Sequence, residues 1–255
     1  AQVSWMLPPA GFVTPEVVRD ALTDDVTAVA VSLVDFRTGY LADLGAIRDV
    51  IGDRLLIVDA VQSFGVIDVD HTIADVVVGH GYKWLRAGRG TGFAWFSARA
   101  RERIAPVLSG ITGTTASGLV VDERPPPALS ARAYTVSMPD TLAAGRLAIG
   151  ARDVRDVGVA AIEERLAAQV DAVIETADRH GIAVVSPRER AERAGIVALA
   201  PEEPARLAAT LANAGVVVTA RGDSIRVAPH AGTDADTLAL LDDALGSSGR
   251  ESFIV

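Results

Sequence analysis

Lysine is nearly absent from this 255-residue chain, and its one lysine stands in a distinctive segment. Lys83 lies within Gly79-His80-Gly81-Tyr82-Lys83-Trp84, and arginine supplies every other member of the 24 lysines and arginines. A lysine amine forms a Schiff base with an aldehyde, whereas a guanidinium stays protonated and is a poor nucleophile. The Ala-, Arg-, Val- and Gly-rich composition also indicates a GC-rich genome with few lysine codons. Scarcity alone therefore does not make Lys83 a covalent anchor, but its setting supports that role.

A carboxylate occupies a comparable position earlier in the chain. Asp59 closes the apolar run Leu55-Leu56-Ile57-Val58, which predicts a strand. In an open α/β sheet, the carboxyl ends of the strands form the ligand crevice. Taken alone, Asp59 is equally well explained as the cap of a helix or a turn. Because the next predicted strand leads to Lys83, however, two strand ends would bring an acid and an amine to one crevice.

An acid and an amine in one crevice suit pyridoxal phosphate. This cofactor needs a lysine to hold its aldehyde, and a carboxylate to keep its ring nitrogen protonated so that the ring accepts electrons from a substrate carbanion. Lys83 and Asp59 match those two requirements. Glycines at positions 88, 90 and 92 permit tight backbone turns after Lys83, although a glycine-rich loop alone is weak evidence.

Short apolar runs alternate with amphipathic stretches in the first half of the chain. This alternation predicts an α/β fold with a mostly parallel sheet and helices on both of its faces. Thr14 before Pro15 is expected to be the N-cap of the first helix. Predicted strands cover residues 2–6, 28–33, 55–59, 75–79 and 92–97, and predicted helices cover 15–22, 41–51 and a stretch from residue 98.

A proline-rich segment divides the chain. Arg124-Pro125-Pro126-Pro127 interrupts any helix or central strand and predicts an extended connection. We expect a partial large domain over residues 1–128, followed by linker helices and a small C-terminal α/β domain over residues 129–255. In this second part, helical periodicity covers 141–177 as one broken helix or two consecutive helices. Strands are then predicted at 196–199, 216–219 and 224–227, and helices at 202–214 and 234–245.

The composition excludes several classes of partner. The net charge of −9 and the pI near 4.9 argue against a nucleic acid or an anionic membrane, because either requires a basic face. The sequence has no apolar run long enough to span a membrane and no signal-peptide pattern, so we expect a cytoplasmic protein. It also has no cysteine, and its four histidines lack metal-ligand spacing, so no metal site is predicted.

Four segments occur in a fixed order along the chain. They are Asp59-Ala60-Val61-Gln62-Ser63-Phe64-Gly65, Ala74-Asp75-Val76-Val77-Val78, Tyr82-Lys83-Trp84-Leu85 and Gly90-Thr91-Gly92-Phe93. Together they resemble the class V aminotransferase family of fold-type I pyridoxal-phosphate enzymes, which includes cysteine desulfurases, kynureninases and several aminotransferases. The resemblance covers most of the chain, and the ordered set is far more specific than any one segment.

The resemblance implies a role for each matching residue of the cofactor site. Lys83 would form the internal aldimine, Asp59 would pair with the pyridine nitrogen, and Gln62 would hydrogen-bond the phenolic oxygen of the cofactor. Tyr82 matches a tyrosine that contacts the phosphate in kynureninase-like members, and His80 stands where many relatives hold the phosphate with a small hydroxyl residue. His80 is equally well explained as a partly buried histidine whose ring is satisfied by backbone groups.

Two arginines near the C-terminus match the region where the family binds a substrate carboxylate. Arg221 ends Val216-Val217-Val218-Thr219-Ala220-Arg221, and Arg226 lies in Ser224-Ile225-Arg226-Val227-Ala228-Pro229-His230. A planar guanidinium binds a carboxylate through two parallel hydrogen bonds. The segment around Arg226 is similar to kynureninases, whereas desulfurases use the earlier position, so Arg226 is slightly favoured. In a chain so rich in arginine, a surface role for either residue is the competing explanation.

The sequence departs from the family pattern in three ways. Relatives carry a stretch before the position of Gln2 that supplies a phosphate-binding turn and a residue stacked on the cofactor ring, so we expect a fragment or a half that needs a partner. Met138 lies in Tyr134-Thr135-Val136-Ser137-Met138-Pro139, where many relatives donate a threonine to the phosphate of the neighbouring subunit. The lack of cysteine argues against a cysteine desulfurase.

Two functions follow from these observations. The ordered set of Asp59, Gln62, Lys83 and Arg226 predicts a homodimeric pyridoxal-phosphate enzyme that acts on a small amino acid, as an aminotransferase or as a C–C or C–S lyase. The alternative is a non-catalytic or fragmentary fold-type I protein that acts as a dimerisation or regulatory partner. The departure at Met138 and the expected missing N-terminal stretch favour this alternative.

Overall fold

A four-stranded, mostly parallel sheet organises the first half of the chain. The computed structural model describes residues 2–8, 10–116 and 125–248. The sheet contains β1 (Ala28–Ser32), β2 (Leu55–Asp59), β3 (Val76–His80) and β4 (Gly92–Phe96), in that order. The first three strands run parallel, and β4 pairs antiparallel with β3. The predicted α/β class with a mostly parallel sheet is therefore confirmed.

Three helices belong to this half, and local side chains decide where they begin. They are α1 (Pro15–Ala21), α2 (Leu44–Ile51) and α3 (Ala98–Arg103). Thr14, Asp43 and Ser97 each accept a hydrogen bond from a backbone N–H of the first turn. The predicted Thr14 cap is confirmed, and α2 begins at residue 44 rather than 41 because Asp43 caps it.

A buried carboxylate fastens the amino end of β3 to its neighbours. Asp75, just before β3, is 4% exposed and forms ion pairs with Arg48 at 2.7 Å and Arg99 at 2.6 Å. It also accepts a hydrogen bond from the Leu56 amide at 2.8 Å. Burial alone would raise the pKa of Asp75, but these three donors, Arg99 foremost, outweigh it and hold the pKa far below its usual range. The cluster joins two strands and two helices at the end of the sheet opposite the strand carboxyl ends.

The strand predicted at residues 2–6 is wrong. Residues 2–8 adopt no regular secondary structure, and Val3, Trp5 and Leu7 are 69%, 87% and 79% exposed. A strand is held by hydrogen bonds to a neighbouring strand. In the part of the chain that the structure describes, β1 pairs with β2 alone and leaves its other edge without a strand. The alternating pattern of this segment is therefore present without the sheet partner that would make it a strand.

Two consecutive helices lead into a second, antiparallel sheet. α4 (Thr141–Val157) and α5 (Val159–Arg179) are separated by Gly158, whose φ of +91° ends the first helix. The second sheet has the order β5-β6-β8-β7. Its strands are β5 (Ala183–Val184), β6 (Val197–Ala200), β7 (Thr219–Arg221) and β8 (Ser224–Val227), and the accompanying helices are α6 (Pro204–Asn213) and α7 (Ala235–Ser248). No helix within the described ranges is long and apolar enough to cross a membrane.

The strand predicted at residues 216–219 lies three residues later, in β7. The Val216 amide donates a hydrogen bond to the Leu211 carbonyl at 2.8 Å. Val216 is therefore bonded to the last turn of α6 and not to a neighbouring strand. Val217 is 96% exposed. The tight hairpin that pairs Arg221 with Ser224 fixes which residues of β7 face β8. The register of the hairpin, rather than the run of valines, therefore determines which residues form β7.

Two hydrophobic cores share α5. The first core lies around β1, β2, α1 and α2 and includes Ile162 and Leu166 from the first turns of α5. The second core contains Val170 and Val173 from the same helix, together with apolar residues of α6, α7, β6 and β8. The domain boundary expected after residue 128 stays a prediction. Arg124 of the expected extended connection lies outside the described residues, and Pro127 forms an isolated bridge with Thr114.

Replacing Asp75 with Asn should lower the free energy of unfolding by about 3 kcal/mol at pH 7, because two guanidinium groups lose a buried partner. The folded pKa of Asp75 lies below its unfolded value near 3.9, so this contribution is complete above that value and is lost as the pH falls through the folded pKa. Urea unfolding at neutral pH and near pH 3 measures both effects. Asp49→Asn, at an exposed acid of α2, is the matched control. An equal loss in both variants would contradict the assignment.

Candidate active site

The carboxyl edge of the parallel sheet brings the predicted acid and amine to one place. β2 and β3 pair in parallel with Asp59 opposite Val78, so Asp59 ends its strand beside the end of β3 at His80. A short turn then leads to Lys83. The charges of Asp59 and Lys83 act on each other, and both act on His80. The parallel pairing therefore brings a carboxylate, an imidazole and an amine to the same edge of the sheet.

The Lys83 amine is only partly exposed to solvent, and its surroundings favour the neutral form. Burial lowers the pKa of Lys83, and the positive charge of Arg226 lowers it further. Asp59 opposes this shift, while the charge of Arg221 adds to it. At neutral pH a larger fraction of this amine is therefore unprotonated than in an exposed lysine. The unprotonated amine is the form that attacks an aldehyde.

The turn that carries Lys83 is closely packed on both sides. A Cβ atom at Gly81 would lie 2.7 Å from Thr91 Oγ1 and 2.9 Å from Ala87 Cβ, so no larger residue fits there without rearrangement. The Ala87 amide donates a hydrogen bond to the Gly81 carbonyl at 2.8 Å. From α4, Arg146 Nε donates to the Ala87 carbonyl at 3.1 Å. These contacts fix the backbone from which the Lys83 side chain extends.

Trp84 connects this turn to both halves of the chain. Its indole Nε1 donates a hydrogen bond to the Gln62 carbonyl at 2.8 Å, and Gln62 itself is 9% exposed. The His230 ring stacks on the Trp84 ring with centroids 5.9 Å apart, and His230 Nε2 lies 3.2 Å from the Trp84 carbonyl oxygen. Sequence reasoning missed both contacts. The only feature of the sequence that pointed to a role for Trp84 in the site was its position directly after Lys83.

His80 and Tyr82 form a stacked pair next to Lys83. Their ring centroids are 3.6 Å apart and the ring planes differ by 17°. Both ring nitrogens of His80 are buried, and neither has a hydrogen-bond partner among the residues described. Burial lowers the pKa of His80, and the Lys83 charge lowers it further, so the ring is neutral at neutral pH. No described residue lies within hydrogen-bonding geometry of either ring nitrogen, so an external group is able to accept from or donate to this ring.

Asp59 has a local hydrogen bond in addition to its place at the carboxyl end of β2. Its Oδ1 accepts a hydrogen bond from the Val61 amide at 2.8 Å, so the turn-capping explanation describes one real contact. The Asp59 carbonyl accepts a hydrogen bond from the Leu33 amide at 2.9 Å, which continues the pairing of β2 with the chain after β1. The hydrogen bond from Val61 thus orients the carboxylate, and its negative charge still favours the protonated form of Lys83.

Arg226 and Arg221 approach the site from the second sheet. Arg226 Nη1 donates a hydrogen bond to the Phe36 carbonyl at 2.8 Å, and its Nη2 donates to Thr219 Oγ1 at 3.4 Å. The Arg221 guanidinium carbon lies 5.0 Å from the centre of the Phe36 ring. Both predicted arginines therefore meet at one residue of the loop that follows β1. Phe36 was missed by sequence reasoning, because a single aromatic residue in a loop gives no pattern.

The family model described as aminotransferase class-V matches residues 1–235 of the sequence. The chain belongs to the aminotransferase class V family. The resemblance predicted from the four ordered segments is therefore confirmed. Membership of this family also identifies pyridoxal phosphate as the cofactor that the fold holds.

Two kynureninases are among the similar proteins. The kynureninase of Deinococcus radiodurans is 30% identical over 174 residues, which are 65% of this chain and 42% of the relative. The kynureninase of Pseudomonas fluorescens is 25% identical over 185 residues, which are 69% of this chain and 44% of the relative. The chain therefore spans less than half the length of these relatives.

Solved structures with the same fold extend over almost all of this chain. The apo cysteine desulfurase from Thermococcus onnurineus NA1 superimposes with a TM-score of 0.83 at 19% identity, covering 93% of this chain and 63% of that one. The pyridoxamine-pyruvate aminotransferase from Mesorhizobium loti gives a TM-score of 0.71 at 22% identity, covering 92% of this chain and 63% of that one. At these identities the likeness shows the fold alone, which is fold type I.

The residues at the carboxyl edge fit the cofactor. Lys83 offers an amine whose pKa is lowered, and Asp59 offers a carboxylate at the end of the neighbouring strand. His80 offers two buried nitrogens without partners among the described residues. An aldehyde, a protonated ring nitrogen and a phosphate group would each find a group of suitable chemistry here.

Arg226→Gln should raise the pKa of Lys83, because it removes a positive charge that disfavours the ammonium form. Lys83 is the sole lysine, so reductive methylation with carbon-13 formaldehyde labels one ε-amine, whose NMR titration reports its pKa directly. The pKa should lie below the ordinary value of about 10.4 in the parent protein. Arg206→Gln, at a surface arginine paired with Glu203, should leave it unchanged. An ordinary pKa in the parent protein would refute this description of the site.

Proposed function

We propose that this chain forms the cofactor-binding core of a pyridoxal-phosphate enzyme that acts on a small amino acid, as a transferase or as a C–C or C–S lyase. The observation that carries the proposal is the sole lysine, partly buried at the carboxyl edge that Asp59 also ends, with its pKa lowered by burial and by the charge of Arg226. Relatives named kynureninase support a lyase, and the family model described as aminotransferase class-V is consistent with a transferase.

Three residues would hold the reactive part of the cofactor. Lys83 would bind the cofactor aldehyde covalently, Asp59 would pair with the protonated ring nitrogen, and Gln62 would hydrogen-bond the phenolic oxygen. Bound in this way, pyridoxal phosphate supplies an electron sink for the carbanion that forms at the substrate α-carbon. The hydrogen bond from the Val61 amide orients the Asp59 carboxylate for this pairing.

His80 and Tyr82 would bind the cofactor phosphate. The unpartnered ring nitrogens of His80 support this assignment, because a buried neutral imidazole gains a hydrogen bond when one nitrogen donates to a phosphate oxygen. Tyr82 stacks on His80 and is 41% exposed, so its hydroxyl is available to the same phosphate.

Lys83 would also move the substrate proton. With pyridoxal phosphate and an amino acid bound, the Lys83 amine would accept the substrate α-proton as a general base. A lowered pKa suits this role, because a base works best when its pKa lies near the working pH. An arginine from the second sheet, Arg226 or Arg221, would bind the substrate α-carboxylate and aim the α-carbon at this amine.

Cysteine desulfurase chemistry is not the function we propose. A persulfide mechanism needs a thiol, and none of the 255 residues is a cysteine. The desulfurase among the structural neighbours therefore supports the fold of this chain and not its chemistry.

Lys83→Arg should abolish covalent cofactor binding, because the variant keeps the positive charge but has no amine that reacts with the aldehyde. The test uses the protein with its whole chain. Pyridoxal phosphate is added, the adduct is reduced with borohydride, and the labelled peptide is mapped. The parent protein and Arg206→Gln should carry the label on Lys83 and absorb in the visible range. A label confined to other amines, or a visible band that persists in Lys83→Arg, would overturn the proposal.

We also propose that the protein works as a homodimer, as sequence reasoning predicted. Two hydrogen-bonded segments around residues 107–113 and 129–138 expose apolar side chains together. The Gly110 amide donates to the Thr135 carbonyl at 2.8 Å, and Thr112 Oγ1 donates to the Ser137 carbonyl at 3.2 Å. The apolar side chains exposed here are those of Val107, Leu108, Ile111, Leu129, Val136 and Met138. An exposed apolar patch of this kind is typical of a subunit interface.

A double variant carrying Leu129→Asp and Met138→Asp should shift the protein from dimer to monomer, because two charges would be buried in the apolar interface. Sedimentation velocity measures the change. Val217→Asp places the same charge at a side chain that is 96% exposed in the second half of the chain, and it should stay dimeric. A parent protein that sediments as a monomer would rule out the dimer.

A further inference from the structure

One buried serine lies between the loop after β1 and the second sheet. Ser186 follows β5 in the chain and is 3% exposed. Its hydroxyl donates a hydrogen bond to the Thr38 carbonyl at 2.5 Å, closer than the 3.4 Å to the Ile196 carbonyl. The same oxygen accepts a hydrogen bond from the Ala198 amide at 2.8 Å. Thr38 belongs to the loop after β1 and Ala198 to β6, so one side chain joins two segments that are far apart in the sequence.

Arg226 connects the same two segments a second time. In the second sheet, Ala198 of β6 is the register partner of Arg226 in β8. In the loop, the Phe36 carbonyl accepts a hydrogen bond from Arg226 Nη1 at 2.8 Å. These connections form a closed ring, which runs through Ser186, Thr38, Phe36, Arg226 and Ala198. The Ser186 hydroxyl and the Arg226 guanidinium are therefore the two links between the loop and the pair of strands that carries the arginine.

Hydrogen bonds within the loop make Thr38 and Phe36 move together. Asp35 Oδ1 accepts hydrogen bonds from the Arg37 amide at 2.7 Å and from the Thr38 amide at 3.0 Å. The Thr38 hydroxyl accepts a further one from the Tyr40 amide at 3.2 Å. Phe36 lies inside this tight turn. A displacement of the Thr38 carbonyl would therefore be transmitted to the Phe36 carbonyl that Arg226 contacts.

We propose that Ser186 is a positioning residue, whose hydroxyl holds the loop after β1 and the β6–β8 pair at the spacing that lets Arg226 reach Phe36. The hydrogen bonds of Ser186 go to backbone groups, so it influences Lys83 through the arginine and not directly. The catalytic consequence rests on the proposed function, in which an arginine of this hairpin binds the substrate α-carboxylate. The positioning itself is a property of the cofactor-free chain.

Ser186→Ala should raise the pKa of Lys83 in the cofactor-free protein, by less than Arg226→Gln does. The reason is that Arg226 loses part of its support, and its charge then disfavours the ammonium form less. The carbon-13 methyl titration of the sole lysine, made on the protein with its whole chain, measures the change. Ser186→Cys keeps a side chain of similar size with a weaker donor, and it should raise the pKa in the same direction even where the alanine variant does not fold.

A matched control separates positioning from a general loss of stability. Thr176 is likewise a buried hydroxyl residue of the second half, and its hydroxyl accepts a hydrogen bond from Arg179 at 2.9 Å. Thr176→Val should lower the free energy of unfolding, measured in urea, and leave the pKa of Lys83 unchanged. An equal rise of this pKa in Thr176→Val would show that Ser186 acts only on stability and would overturn the inference.

A double-variant cycle tests whether the effect passes through the arginine. Ser186→Ala should raise the pKa of Lys83 when Arg226 is present and should add nothing in the Arg226→Gln protein. The same rise in both backgrounds, or an unchanged pKa in both Ser186 variants, would refute the inference. A failure of the proposed function has a separate signature, because it appears as the absence of a visible band on addition of pyridoxal phosphate, whereas these titrations are made without the cofactor.

Discussion

The parallel pairing of β2 with β3 is the constraint on which the site depends. It places Asp59 and His80 at neighbouring strand ends, from which one short turn leads to Lys83. At the opposite end, the buried Asp75 holds the same two strands in register through Arg99 and the Leu56 amide. A register slip of one residue would turn the Asp59 side chain to the other face of the sheet. The ion cluster thus stabilises the geometry of the site from a distance, without touching any group that takes part in the chemistry.

Positive charge gathers at this edge although the protein as a whole is acidic. Burial and the charges of Arg226 and Arg221 lower the pKa of Lys83, and burial and the charge of Lys83 lower the pKa of His80. Each shift favours a neutral base that can act as a nucleophile or hydrogen-bond partner. The cost is mutual repulsion among cations in a partly buried place. An anionic cofactor and an anionic substrate would relieve that repulsion, so binding and activation have the same electrostatic origin.

Contacts between residues far apart in the chain assemble the site. Trp84 meets His230, and Phe36 meets both Arg226 and Arg221, so the second sheet reaches the turn of Lys83 and the loop after β1. The helix α5 contributes side chains to both hydrophobic cores, which gives these contacts a common support. The position of the arginines therefore depends on the packing of the whole chain and not on the hairpin that carries them.

The sequence by itself determined the α/β class, most strands and helices, the Thr14 cap and the family, because apolar periodicity, capping side chains and ordered motifs are local properties. It also singled out Lys83 and Asp59, since each follows an apolar run. Only the tertiary structure decided that residues 2–6 are not a strand and that β7 begins at Thr219, because pairing depends on a partner and on hairpin register. It alone revealed that the ring nitrogens of His80 lack a hydrogen-bond partner among the described residues, and that the two arginines meet at Phe36, because burial and long-range contacts leave no pattern in the sequence.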